Sequence, residues 1–160
     1  MGDRRAIGVF DSGMGGLTVL RALRDTLPHE DLVYLGDTAR LPYGTKSADT
    51  VTAYALQATR KLLAHDVKMV VIACNTASAV AIEPLANQHA PLPVIGVVEP
   101  GARAGVAATQ TNRIGVLATE STVKGGAYAR AIGALAPEVS IRQQPCALFV
   151  ALAEEGWGND

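Results

Sequence analysis

The strongest constraint on this chain is the stretch from Lys68 to Ser78. Met69-Val70-Val71-Ile72-Ala73 is an unbroken apolar run that ends at Cys74, and Asn75, Thr76 and Ser78 follow before an Ala-rich segment. A short run of Val and Ile with no polar alternation is a strand covered on both faces, and small polar residues directly after it open a helix. The strand therefore delivers a thiol to a helix N-terminus. Unpaired N–H groups and the positive end of the helix dipole favour a thiolate there and attract an anionic ligand.

The rest of the chain supplies helices for both faces. Ala6 to Phe10 is a short apolar strand, Gly13, Gly15 and Gly16 make a turn, and Leu17, Leu20, Leu23 and Leu27 recur at near-helical spacing up to Pro28. Asp11 or Ser12 is the expected cap of that helix. Leu32 to Gly36 is a second strand, and Asp37 to Lys46, with Pro42 and Gly44, is a loop with functional composition. Ser47 or Asp49 can cap a helix to about His65 whose inner face carries Val51, Tyr54, Ala55, Ala58 and Leu62. The helix after Cys74 is expected to break near Glu83-Pro84. Pro93 to Val98 reads as a fourth strand and Glu99-Pro100-Gly101 as a turn. Strands alternating with helices at this pace predict an α/β fold with a doubly wound, mostly parallel sheet.

Ile7-Gly8-Val9-Phe10-Asp11-Ser12 is echoed by Ile114-Gly115-Val116-Leu117-Ala118-Thr119. With the turn at residue 99, the echo predicts two similar α/β domains, 1–99 and 100–160, the second having strands at 113–118 and 139–143. A counterpart of Cys74 in that second unit would fall beyond residue 160, so the second domain is expected to be incomplete.

Composition narrows the function. A formal net charge of −1 gives no reason to expect nucleic acid or an anionic membrane, which leaves a small molecule as partner. No apolar run reaches the roughly 20 residues of a membrane span. Two cysteines, Cys74 and Cys146, make no disulfide framework, which points to a reducing cytoplasm. A homodimer is compatible with the sequence.

Cys74 is the chief candidate for chemistry, at the strand end where open α/β sheets bind ligands. Asp11-Ser12 ends the first strand and should open on the same sheet edge. Gly13-Met14-Gly15-Gly16 is not a dinucleotide fingerprint, and Gly44-Thr45-Lys46-Ser47 fails the phosphate-loop spacing, so nucleotide binding is a weak alternative resting on Asp37 as a ribose ligand. Pro42-Tyr43-Gly44 offers backbone N–H groups and a phenol. Thr119, Ser121 and Thr122 repeat the polar strand tip, with helix capping as an equally good reading. Cys146 has apolar neighbours that suit an inert thiol. The three histidines form no metal spacing, and Glu154-Glu155 reads most simply as a solvated helix end.

Taken together, Gly8 to Leu17, Leu41 to Ser47, Ala73 to Ser78 and Gly115 to Thr119, with Leu148 to Gly156 less specifically, closely resemble the glutamate racemases of bacterial cell-wall synthesis, within the aspartate/glutamate racemase superfamily. The resemblance implies cofactor-independent interconversion of L- and D-glutamate by two cysteines on opposite faces of the substrate Cα. It implies Cys74 as the first of these and a catalytic part for Asp11. It further implies substrate contacts from Asp11, Ser12, Tyr43, Gly44, Asn75, Thr76 and Thr119, and an acidic residue lining the site at Glu154. The second cysteine of that family lies in a Cys-Thr-His motif, which these 160 residues do not contain. The expectation is that the chain has little or no racemisation activity alone. A racemase of another small dicarboxylate, or a non-catalytic glutamate-binding module, are the alternatives.

Overall fold

The computed structural model describes residues 3–154 and 156–157. In chain order the elements are β1 (Ile7–Asp11), α1 (Leu17–Thr26), β2 (Leu32–Gly36), a 3-10 turn (Tyr43–Thr45), α2 (Ala48–Leu63), β3 (Met69–Ile72), α3 (Asn75–His89), β4 (Val94–Gly96), α4 (Val98–Ala108), β5 (Arg113–Ala118), α5 (Glu120–Gly125), α6 (Ala127–Leu135), β6 (Ser140–Pro145) and α7 (Ala147–Glu154). Strands β2-β1-β3-β4 form one sheet, β5-β6 a second, and every pairing is parallel.

Period-two alternation sorts the central strands onto two layers. Ile7 and Val9 of β1 and Val71 and Ala73 of the β3 segment face α1, against Val19, Leu20 and Leu23. Phe10, Val70 and Ile72 point the other way, into a core with Val51, Ala55 and Leu62 of α2 and Ala77, Ala81 and Leu85 of α3. Phe10, Val70 and Ile72 are wholly buried, and burial of each such side chain contributes about 1.5–3 kcal/mol. The strand ends that carry Asp11 and Cys74 are thereby fixed in place. A third core joins α4 and α6 to β5-β6 through Ala102, Ile132, Ala136 and Val139.

Three local expectations are corrected. Helix α3 runs unbroken through Pro84 to His89. A proline inside a helix costs about 3 kcal/mol, but Leu85 and Ala81, one turn apart, are both wholly buried, and their packing holds the helix together. Glu99-Pro100-Gly101 lies in the first turns of α4 rather than in a turn between elements; the first N–H groups of a helix have no intrahelical partner, so Pro100 forfeits nothing there. The fourth strand is accordingly shorter than 93–98. Helix α1 starts from Gly16 without a side-chain cap, because Asp11 is engaged elsewhere. Ser47 does cap α2, its Oγ accepting from Thr50 N at 3.2 Å. Among the described residues, no helix is long and apolar enough to cross a membrane.

Candidate active site

Because β1 and β3 run parallel, with Phe10 opposite Ile72, the residues that follow them emerge on one sheet edge. Asp11 and Cys74 are both nearly buried there. The Asp11 carboxylate folds back to accept from Gly13 N at 3.0 Å, and Tyr34 of β2 donates its hydroxyl to the Gly13 carbonyl at 2.9 Å. This pins the turn that carries Ser12. Gly16 has to be glycine in this arrangement, since a Cβ there would lie 2.5 Å from the Asp11 Cβ and 3.0 Å from that of Ala73.

Cys74 occupies the position before α3, and its Sγ accepts from Ala77 N at 3.4 Å while donating to Ser12 Oγ at 3.3 Å. Burial pushes the Cys74 thiol above its ordinary value; the contacts with Ser12 and Ala77 pull it down, and the Asp11 charge pushes it up further. The expectation of a thiolate favoured by the helix start is thus corrected: desolvation outweighs the hydrogen bonds. Burial therefore favours the thiol form, with the sulfur held against the Ser12 hydroxyl.

A measurable consequence concerns alkylation. Only the thiolate attacks iodoacetamide, so labelling of Cys74 should rise with pH through a midpoint above the ~8.5 of a free cysteine. Asp11→Asn should lower that midpoint, because it removes a charge that disfavours the thiolate. A wild-type midpoint at or below that of free cysteine, read by mass spectrometry of the labelled peptide, would contradict the burial effect.

A cleft of about 330 Å³ opens over the thiol, lined by Asp11, Ser12, Gly44, Cys74, Asn75, Thr76 and Thr119 together with Pro42 and Val150. Seven of the residues expected from sequence therefore converge. A larger cavity of about 570 Å³ is lined by Arg113, Ile114, Gly115, Ser140 and Arg142. It holds no group able to take a proton from carbon at neutral pH, so size does not locate the reactive position.

Two expected residues stand differently. The Tyr43 ring is buried between Phe10 and Tyr54, and its hydroxyl donates to Asp37 Oδ2 at 2.5 Å. Its pKa is raised by burial and by that hydrogen bond. What the Tyr43 segment offers the cleft is the neighbouring Gly44 backbone, pressed against Thr119 so closely that a Cβ on Gly44 would come within 2.6 Å of the threonine side chain. Glu154 ends α7, and its side chain, like all of Glu155, lies outside the described residues.

Sequence patterns do not reveal the groups that brace the cleft. Asp37 accepts from Tyr43 and from Arg40 Nε at 2.7 Å, which makes it an anchor for the 37–44 loop rather than a ribose ligand. Thr122 is buried and joins Thr76 and Thr119 in a triangle of hydroxyls, at 3.3 Å and 3.0 Å, with 3.0 Å between Thr76 and Thr119. The triangle ties the start of α3 to the start of α5, so one cleft is built from both sheets. Repetition of hydroxyls at 119, 121 and 122 was the only trace of this in the sequence. Cys146, partly buried just before α7, has its Sγ 3.6 Å from the Gln144 carbonyl. Among the described residues no cluster of His, Cys, Asp and Glu has a geometry that could hold a metal ion.

Comparison with known proteins finds relatives that align with nearly the whole chain. Relatives include a protein from Geobacter metallireducens named glutamate racemase, 55% identical over 98% of this chain and 57% of its own length. Another of that name, from Neisseria meningitidis, is 50% identical over 98% of this chain and 58% of its own length. The crystal structure of glutamate racemase from Francisella tularensis in complex with D-glutamate superposes with a TM-score of 0.91 at 42% identity, covering 99% of this chain and 59% of that one. The chain thus spans a little over half the length of the relatives it matches. The profile of Asp/Glu/Hydantoin racemases matches residues 15–155, which include Cys74 and all the strands after β1, and the chain belongs to that family.

Proposed function

We propose that this chain serves the cofactor-independent interconversion of L- and D-glutamate, supplying D-glutamate for peptidoglycan in the cytoplasm. The observation that carries the reading is the Cys74 thiol, poised against Ser12 at the floor of a cleft rimmed by hydroxyls and helix starts. Relatives named glutamate racemase at 50–55% identity support it. In the forward step the Cys74 thiol first gives up its proton, to the Asp11 carboxylate or to solvent, and the thiolate so formed takes the α-proton from one face of glutamate; in the reverse step the resulting thiol returns it. An amino-acid α-proton is very weakly acidic, so the developing charge needs donors at the substrate carboxylates. Ser12, Asn75, Thr76, Thr119 and the Gly44 backbone surround the cleft with such groups. The Asp11 carboxylate beside the thiol is placed to assist the proton transfer, and Tyr43 contributes by holding the Gly44 segment. Glu154 remains proposed as an acidic wall of the site.

Residues 1–99 form the first catalytic unit in this reading, and 100–160 begin a second. The resemblance to glutamate racemases assigns the base for the opposite face of Cα to a Cys-Thr-His motif, which these 160 residues do not contain. Cys146 lacks the surroundings of Cys74. The 160 residues alone should therefore exchange the α-proton of one enantiomer with retention, and racemise slowly or not at all. Incubation with each enantiomer in deuterated water, followed by ¹H NMR and chiral chromatography, tests both parts. Rapid formation of D- from L-glutamate would overturn the one-face limit. Exchange of aspartate but not glutamate would redirect the substrate assignment, and the absence of both binding and exchange of glutamate would defeat the function itself.

A further inference from the structure

Tyr128, on α6, is not among the residues that line the cleft over Cys74, yet its hydroxyl donates to Asn75 Oδ1 at 2.6 Å. Asn75 is the first residue of α3, next to the thiol, and it is exposed. An exposed asparagine without an anchor samples several rotamers and both orientations of its amide. Here the carbonyl end is taken. The Nδ2 end makes no hydrogen bond among the described residues and is left as a donor at the cleft.

The surroundings are built to let this contact form. The ring of Tyr128 packs with the core of α4, α6 and β5-β6, a place phenylalanine would fill equally well. The hydroxyl reaches past α4 at Gly101, where a Cβ would lie 3.0 Å from the phenol oxygen. Burial raises the Tyr128 pKa, which keeps the phenol a proton donor. A donor at Oδ1 has one chemical consequence for a ligand: the amide meets it with N–H groups, which suit a carboxylate.

We propose that Tyr128 is a positioning residue that orients the Asn75 carboxamide to donate to a carboxylate of the bound amino acid. The proposal rests on the glutamate reading for the identity of the ligand, but the orientation itself is a property of the free protein. It also gives α6 a direct hold on the start of α3, beside the hydroxyl triangle that links α3 to α5.

The test is Tyr128→Phe in the full chain, with thermal unfolding to establish that the variant folds. In the unliganded protein, ¹⁵N relaxation of the Asn75 side-chain amide should show an ordered group in the wild type and a mobile one in the variant. D-Glutamate affinity, read by titration calorimetry, should weaken roughly 3- to 10-fold, the span covered by one hydrogen bond. In an Asn75→Ala background the same Tyr128→Phe change should have no further effect on affinity, whereas a purely structural role would persist there. Unchanged amide order, or an equal loss of affinity with and without Asn75, overturns the proposal. If the wild type binds no glutamate, the functional reading fails and the relaxation measurement alone decides the role of Tyr128.

Discussion

Cys74→Ser should slow deuterium exchange at the glutamate Cα by roughly 10³-fold, within the range contributed by a positioned acid–base group, while leaving the protein folded. The two halves of that expectation have separate causes. Serine is a better N-cap than cysteine, so the Ala77 N–H that Cys74 Sγ receives at 3.4 Å keeps a partner, and the start of α3 should hold within about 1 kcal/mol. The alcohol, however, is a far weaker acid than the thiol and supplies almost no conjugate base at neutral pH. An alkoxide at a buried position beside Asp11 would be disfavoured further, by the same desolvation and charge that raise the thiol. Loss of the α-proton signal of glutamate in deuterated water measures the rate, and a melting curve checks the fold. Wild-type exchange in a well-folded serine variant would remove Cys74 from the chemistry.

The sequence shows the apolar strand, the thiol at its end and the polar tip of β1 because each is local: a run of Val and Ile, one cysteine, one Asp-Ser pair. Parallel order follows from alternation of strands and helices, and it places Asp11 and Cys74 on one edge before any coordinate is known. What lies outside a local pattern is less legible. Pro84 and Pro100 read as breaks because proline removes a donor, but whether that donor was needed depends on the helix position and on what Leu85 buries. The ionisation of Cys74 depends on how completely the folded chain excludes water from it, and motif chemistry alone gave the opposite direction. The bracing of the site by Asp37, Thr122 and Tyr128 joins residues 6 to 53 positions apart, a relation no spacing rule encodes.

Gly16→Ala should be strongly damaging although it adds a single methyl group at the floor of the cleft. A Cβ at Gly16 would stand 2.5 Å from Asp11 Cβ, 2.8 Å from Asp11 Cγ and 3.0 Å from Ala73 Cβ. None of these atoms is the far end of a flexible side chain, so relief requires the ends of β1 and β3 to part, or the start of α1 to move away from them. Both strands are held by wholly buried Val9, Phe10 and Ile72, and overpacking at such a position costs about 1–3 kcal/mol. The movement also falls on the two strand ends that set the separation of Asp11, Ser12 and Cys74, and a displacement near 1 Å in a catalytic arrangement costs roughly 10² in rate. Gly15→Ala is the matched control for packing: the same methyl one residue earlier meets no protein atom within 4 Å, and stability should stay near wild type. Urea unfolding and α-proton exchange on the pair separate the two glycines. Equal behaviour of the two variants would show that the floor of the cleft yields to a methyl group, and that its tight closure around Asp11 is not what fixes the reactive geometry.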